Sequence, residues 1–208
     1  MQTFINLLTL AIGASALAVP ETVEKRAGVQ YEDNFDDLAT TIAAPQLFPV
    51  GAYNGLSYGG AVVLRPIPGV ASVLPHSPSQ QAGAAGPLDL LYLGQLTLNT
   101  YATLTPASGT KTFDLQSFWW GFGTDTATTA GLAQGGTLYV VGYDVNNNQT
   151  STSYAFAPKS AINEPLIFAQ LPAGFTNLKN ATFAVATSEP LTERTYIALD
   201  NVRHINYS

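Results

Sequence analysis

The chain lacks cysteine altogether. That excludes disulfides, a thiol nucleophile and thiolate metal sites, so stability must come from packing. Charge is scarce as well. Charged residues make up 11% of the sequence, with 8 Lys and Arg against 14 Asp and Glu, for a net charge of −6. Nucleic acid and anionic membrane surfaces both need a positive patch, and an acidic chain without basic runs argues against either partner. No HExxH stands among the two histidines, and no glycine-rich phosphate loop joins a strand to a helix. No stretch of a dozen residues carries a 3.6-residue apolar period with helix caps. Beyond the first 18 residues no apolar run approaches the roughly 20 residues that span a bilayer. The polar end His204-Ile205-Asn206-Tyr207-Ser208 is unlike a lipid-anchor signal.

The start of the chain says where the protein works. Met1 to Ala18 is apolar through Phe4, Ile5, Leu7, Leu8 and Leu10 and closes on Ala16-Leu17-Ala18, the small-residue pattern of a signal-peptidase site. An acidic stretch then leads to the dibasic pair Lys25-Arg26. This predicts a signal peptide over 1–18 cut after Ala18, a propeptide over 19–26, and a secreted, extracellular domain over 27–208. Roughly 180 residues suit one domain, which buries about 70% of its unfolded surface. Three N-x-[ST] sequons begin at Asn148, Asn180 and Asn206. Asn148, in an Asn-rich turn, and Asn180 are the candidate glycan acceptors; Asn206 ranks last.

Thr, Val, Tyr, Phe and Gly dominate the remainder, and branched and aromatic side chains suit a pleated surface. Period-two runs between Gly, Pro and Asn predict strands at 31–36, 56–64, 90–93, 95–104, 111–122, 136–144, 151–156, 167–170, 181–187 and 195–205. Short strands at this spacing predict an all-β fold, a two-sheet antiparallel jelly-roll sandwich. The segment 65–87, rich in Pro, Gly, Ala and Ser, fits no ladder. It reads as a long surface insertion or a binding lid.

Four segments occur in a telling order: Phe113-Asp114-Leu115-Gln116-Ser117-Phe118, then Leu138-Tyr139-Val140-Val141-Gly142-Tyr143-Asp144, then Phe175 to Phe183, then Ala198-Leu199-Asp200-Asn201-Val202. The order resembles the extracellular β-sandwich domains of exported bacterial proteins with sorting tails and of secreted fungal proteins. Their fold is similar to the galactose-binding-like jelly rolls, which include many carbohydrate-binding modules. The resemblance implies neighbouring first and last strands, with a structural calcium where their carboxylates meet.

Asp200 lies in an apolar strand, and a carboxylate buried there needs a partner. Glu32, Asp33 and Asp36 are the partners that a calcium site with Asp200 would use, since calcium takes six to eight oxygens. The alternative is that Asp200 caps a turn or pairs with Arg203 and nearby backbone N–H groups. Trp119 and Trp120 adjoin Phe118 and Phe122. Successive strand residues face opposite ways, so one indole can serve the core while the other faces out to stack on a sugar. Tyr53, Asn54, Tyr58, Tyr92 and Asp125 are candidates for the same surface. The alternative is that both indoles are core aromatics, the outer one under a loop.

Catalysis has little to stand on. His76 and His204 are far apart, and Ser77 beside His76 is a neighbour pair rather than a triad. Asp89, Asp125, Asp144 and Glu164 are the carboxylates a glycosidase could pair, but nothing marks two of them. The reading is a secreted, non-catalytic module that binds polysaccharide or a glycoprotein glycan. A scaffold for an extracellular protein partner is the second reading, and a glycan hydrolase the third.

Overall fold

The computed structural model describes residues 27–39, 48–86, 89–93, 96–124, 131–187 and 195–208. They form fourteen strands and no helix: β1 (Val29–Asp33), β2 (Phe48–Tyr53), β3 (Leu56–Leu64), β4 (Val73–Leu74), β5 (Gln81–Ala85), β6 (Asp89–Leu93), β7 (Leu96–Pro106), β8 (Thr112–Thr124), β9 (Gly136–Asp144), β10 (Gln149–Phe156), β11 (Glu164–Pro165), β12 (Ile167–Gln170), β13 (Leu178–Ala186) and β14 (Thr195–Tyr207). All ten strands expected from the alternation are present, three with unchanged bounds.

Segment 65–87 departs from expectation. It contains β4 and β5, and β5 runs between β3 and β14 within the main sheet. Its sequence, Gln-Ala-Gly-Ala-Ala, has no branched or aromatic residue to announce a strand. The small side chains answer to crowding: a Cβ on Gly83 would lie 2.1 Å from Leu64 Cδ1. Such a strand is specified by what its neighbours need rather than by its own propensity.

The strands are antiparallel, apart from the small parallel pair β4–β11. The pairings do not divide into two separate sheets. They run β13–β7–β3–β5–β14–β8, and β8 returns to β13 through Leu178↔Phe113, closing a six-strand ring. β9 and β10 extend from β13, and β12 from β8; β1, β2 and β6 pair with β14, β3 and β7. Closure removes edges that would otherwise expose unpaired backbone groups. Sequence periodicity predicts strands but not this pairing, because alternation carries no long-range register.

Aromatic side chains fill the interior. Tyr101 meets Phe122 edge-on with ring centroids 6.0 Å apart, and Phe118 meets Phe183 at 5.3 Å. All four are fully buried, with Trp120, Leu138, Val140 and Ile197. Each such side chain contributes about 1.5–3 kcal/mol through removal from water. This core holds β8 and β14 rigid, and β8 carries Trp119.

Candidate functional site

The site begins with an irregularity in β14. Asp200 pairs with Trp119, but Arg203 already pairs with Ser117, so the strand bulges between them. Asn201 sits in the bulge with φ of 45°, a left-handed conformation that Asn tolerates better than bulkier residues. Asp200 is fully buried. Its Oδ2 accepts the Ser77 N–H at 2.7 Å and the Ser77 hydroxyl at 3.0 Å, while Oδ1 accepts the Asn201 N–H at 2.8 Å. Burial pushes its carboxyl above the usual value; the donors from Ser77, Asn201 and the His76 backbone oppose that rise.

Asp36 repeats the arrangement two residues further along the same loop. Its Oδ1 accepts the Ser79 hydroxyl at 2.9 Å and the N–H groups of Ser79 and Gln80 at 3.2 and 2.9 Å. Two carboxylates thus grip Ser77-Pro78-Ser79 from below, and the loop presents His76.

His76 lies flat on Trp119, with ring centroids 3.6 Å apart and planes 7° from parallel. Trp119 is half-buried and its neighbour Trp120 is fully buried against Phe156. Phe168 pairs with Trp119 across β12 and β8, and its ring leans toward the indole at 5.5 Å. It is 49% exposed. Beside this stack the loop walls a surface cleft of about 360 Å³ that includes Arg65, Pro66, Pro75, His76, Ser77 and Ser79. Of the three rings only His76 lines the cleft, so the cleft offers its imidazole, a guanidinium and two hydroxyls along a proline-bounded rim, with Trp119 and Phe168 next to it.

The first and last strands are neighbours, as expected, with Asp33 opposite Val202. The carboxylates named for calcium are nevertheless spent on protein donors. Glu32 accepts Asn201 Nδ2 at 2.8 Å and pairs with Arg203 at 3.0 Å. Asp33 accepts the Tyr58 hydroxyl, Asn54 Nδ2 at 2.7 Å, and faces His204 Nε2 at 3.1 Å. Among the described residues no three acidic or histidine side chains form a metal-holding group. N–H and O–H donors point at the oxygens a cation would need, so this donor set does not fit calcium.

Asp33 belongs to a second, sealed network. His204 Nδ1 faces Asn206 Oδ1 at 2.8 Å, and Asn206 Nδ2 donates to the Asn54 carbonyl at 2.7 Å. Asp33, Tyr58, His204 and Asn206 are all buried. Burial first, then the charge and hydrogen bond of Asp33, push the Tyr58 hydroxyl well up. The network ties β1 to β14 and to the β2–β3 turn, with no face open to a substrate.

Tyr53 and Asn54 therefore go to that network's side rather than to the cleft. The Tyr53 hydroxyl donates to Asp37 at 2.5 Å. Tyr92 falls on β6 opposite Thr97, and its side chain lies outside the description. Asp125, Ala18, Lys25 and Arg26 lie outside the described residues. Asn148 is exposed, and its Nδ2 donates to Asp144 Oδ2 at 2.8 Å. Asn180 is half-buried on β13 and accepts the Thr182 hydroxyl at 3.1 Å. Asp144 caps its own turn, and Glu164 accepts the Ser160 N–H at 2.7 Å; the two do not meet. Sequence reasoning weighed His76 and Ser77 only as a catalytic pair and set them aside, and it did not name Ser79 or Arg65 as site residues. Two signals pointed there: the unusual segment 65–87, already read as an insertion or a binding lid, and the buried Asp200, which required donors from somewhere.

No protein-family model matches the chain, and no curated protein does. Among solved structures it is similar to the enzymatically active domain of tailspike protein 4 of bacteriophage CBA120, at a TM-score of 0.31 and 18% identity. That similarity covers 72% of this chain and 18% of the tailspike chain. The chain spans under a fifth of that protein's length, and a likeness so low carries no argument about fold or function.

Proposed function

We propose that this protein is a secreted, non-catalytic module that holds a polysaccharide at the cleft beside Trp119. The observation that carries the reading is the His76–Trp119 stack with exposed Phe168 next to a cleft of about 360 Å³. Pyranose rings present apolar C–H faces, and an aromatic surface beside a few polar groups is the usual means of holding them. In this reading the ring of strands is flattened, so that its walls face each other like the two sheets of a jelly roll. No step requires a metal.

The test starts with the product that the full chain yields in a secreting eukaryotic host. Chitin, β-glucan, cellulose, mannan, xylan and pectin are each mixed with it, with and without a chelator, and the depletion from solution is measured. Selective depletion by one polymer, lost in Trp119→Ala and Phe168→Ala but indifferent to the chelator, supports the reading. Equal depletion by the double variant sinks it. Retention of the product inside the host sinks the secretion it assumes.

One observation favours the scaffold reading instead. Ile67, Val70 and Leu132 are exposed apolar residues, and the Gly131 N–H donates to the Val70 carbonyl at 3.0 Å, which brings two of their loops together. Failure of every polymer would move this reading ahead.

A further inference from the structure

We infer that the cleft takes an acidic sugar, with Arg65 receiving the carboxylate of a uronic-acid residue while His76, itself braced on Trp119, backs its ring. This rests on the polysaccharide reading and narrows it to one chemical class.

Arg65 is the reason. It lines the cleft and is exposed. Among the described residues it forms no ion pair: those present join Arg203 to Glu32 and His204 to Asp33. Lys111, Lys159 and Lys179 likewise form no ion pair among the described residues, so Arg65 is singled out by its place: it stands on the rim of this cleft, and no described carboxylate lines the cleft with it. The two acidic groups nearest in the chain of contacts, Asp36 and Asp200, do not line the cleft, and their oxygens face the loop's N–H and O–H groups. Guanidinium is planar and matches a carboxylate in a two-pronged hydrogen bond, which an ammonium cannot do.

The surroundings suit a sugar that carries such a group. The Ser77 and Ser79 hydroxyls donate their protons to Asp200 and Asp36. Their free lone pairs can therefore only accept, and a sugar hydroxyl supplies the matching donor. Prolines 66, 68, 75 and 78 line the same cleft. Each fixes its backbone φ, so the rim loses little freedom when a ligand arrives.

The test measures binding of the secreted product to polygalacturonate, to its fully methyl-esterified form, and to dextran and dextran sulfate. We expect the acid to bind about tenfold more tightly than the ester, with affinity falling as salt rises. Arg65→Ala should remove that preference and Arg65→Lys should restore part of it. Both variants should melt as the parent does, because Arg65 is exposed. Equal binding of acid and ester overturns the inference, as does an Arg65→Ala variant that keeps the preference. Dextran sulfate binding as tightly as polygalacturonate overturns the carboxylate specificity. If neutral polymers bind through Trp119 and uronates do not, this inference falls while the proposed function stands. If no polymer binds, both fall.

Discussion

Asp144 and Asp200 use one device in two settings. Each carboxylate gathers backbone N–H groups from a bend in the chain: Asp144 those of Asn146 and Asn148, Asp200 those of Ser77 and Asn201. The outcomes are opposite. The hydrogen bond from the Asn148 side chain is the largest influence on Asp144 and holds it below the usual carboxylate value. Burial is the largest influence on Asp200 and pushes it above. Donors fix where a carboxylate sits, while access to water decides which protonation state the fold prefers. One aspartate stabilises a local turn. The other tethers a distant loop, 123 residues away, that carries half of the candidate site.

The sharpest way to break this comparison is to remove both carboxylates in turn. Asp200→Ala should cost on the order of 3 kcal/mol, because it strands the buried donors of Ser77 and Asn201. It should also free His76 from Trp119 and change the indole emission. Urea denaturation followed by tryptophan fluorescence reads both effects. A loss no larger than that of Asp144→Ala would end the contrast.

A smaller effect is expected in pH. The native Asp200 value lies above the unfolded one, so between them the native chain keeps a proton that the unfolded chain has released. Its contribution to stability therefore falls as pH rises through that window and levels off above it. Asp144 runs the other way: its contribution is present above the ordinary carboxylate value and is lost as pH falls through the lower native one. Asp200→Asn should flatten the first slope and leave the second. Melting curves across the acid range check this, and an unchanged slope in that variant refutes the assignment.

The smallest effect belongs to Asp144→Ala. The turn is solvent-exposed, so its bonds compete with water and salt. The melting temperature should drop less than in Asp200→Ala, and only above the native Asp144 value. A drop that persists when Asp144 is protonated would mean that the turn does more than hold itself.

Much of the fold was legible in sequence, for identifiable reasons. Leu56–Leu64, Gly136–Asp144 and Ile167–Gln170 are spelled in β-branched and aromatic residues between turn signals, and they stand where expected. Alternation put the two indoles on opposite faces without saying which is the buried one; the structure buries Trp120 and lays the loop residue His76 over Trp119. β5 was not legible, because Ala and Gly are chosen there for room. Ring closure depends on pairings such as Leu178↔Phe113, which no local pattern encodes. At the site, the rule that a buried Asp200 must have a partner was sound, and so was the proximity of β1 to β14. Of the partners considered, calcium or a turn with nearby backbone N–H groups, the structure shows loop N–H groups and serine hydroxyls around Asp200. Amides carry no sequence signature, since every residue but proline has one.

β14 has a consequence for when the molecule can exist. This strand of 13 residues pairs with β1, β5 and β8 and supplies His204 and Asp200. Chains are made from the other end, at about 5–20 residues per second. Until β14 emerges, Asp33 has no imidazole, Ser77 has no carboxylate and the ring has a gap. Closure of the ring therefore waits for β14, with a delay set by contacts that span almost the whole described chain. An unfinished copy, trimmed within β14, should not be a weaker version of this protein. It should be a different substance, all strands and no enclosure.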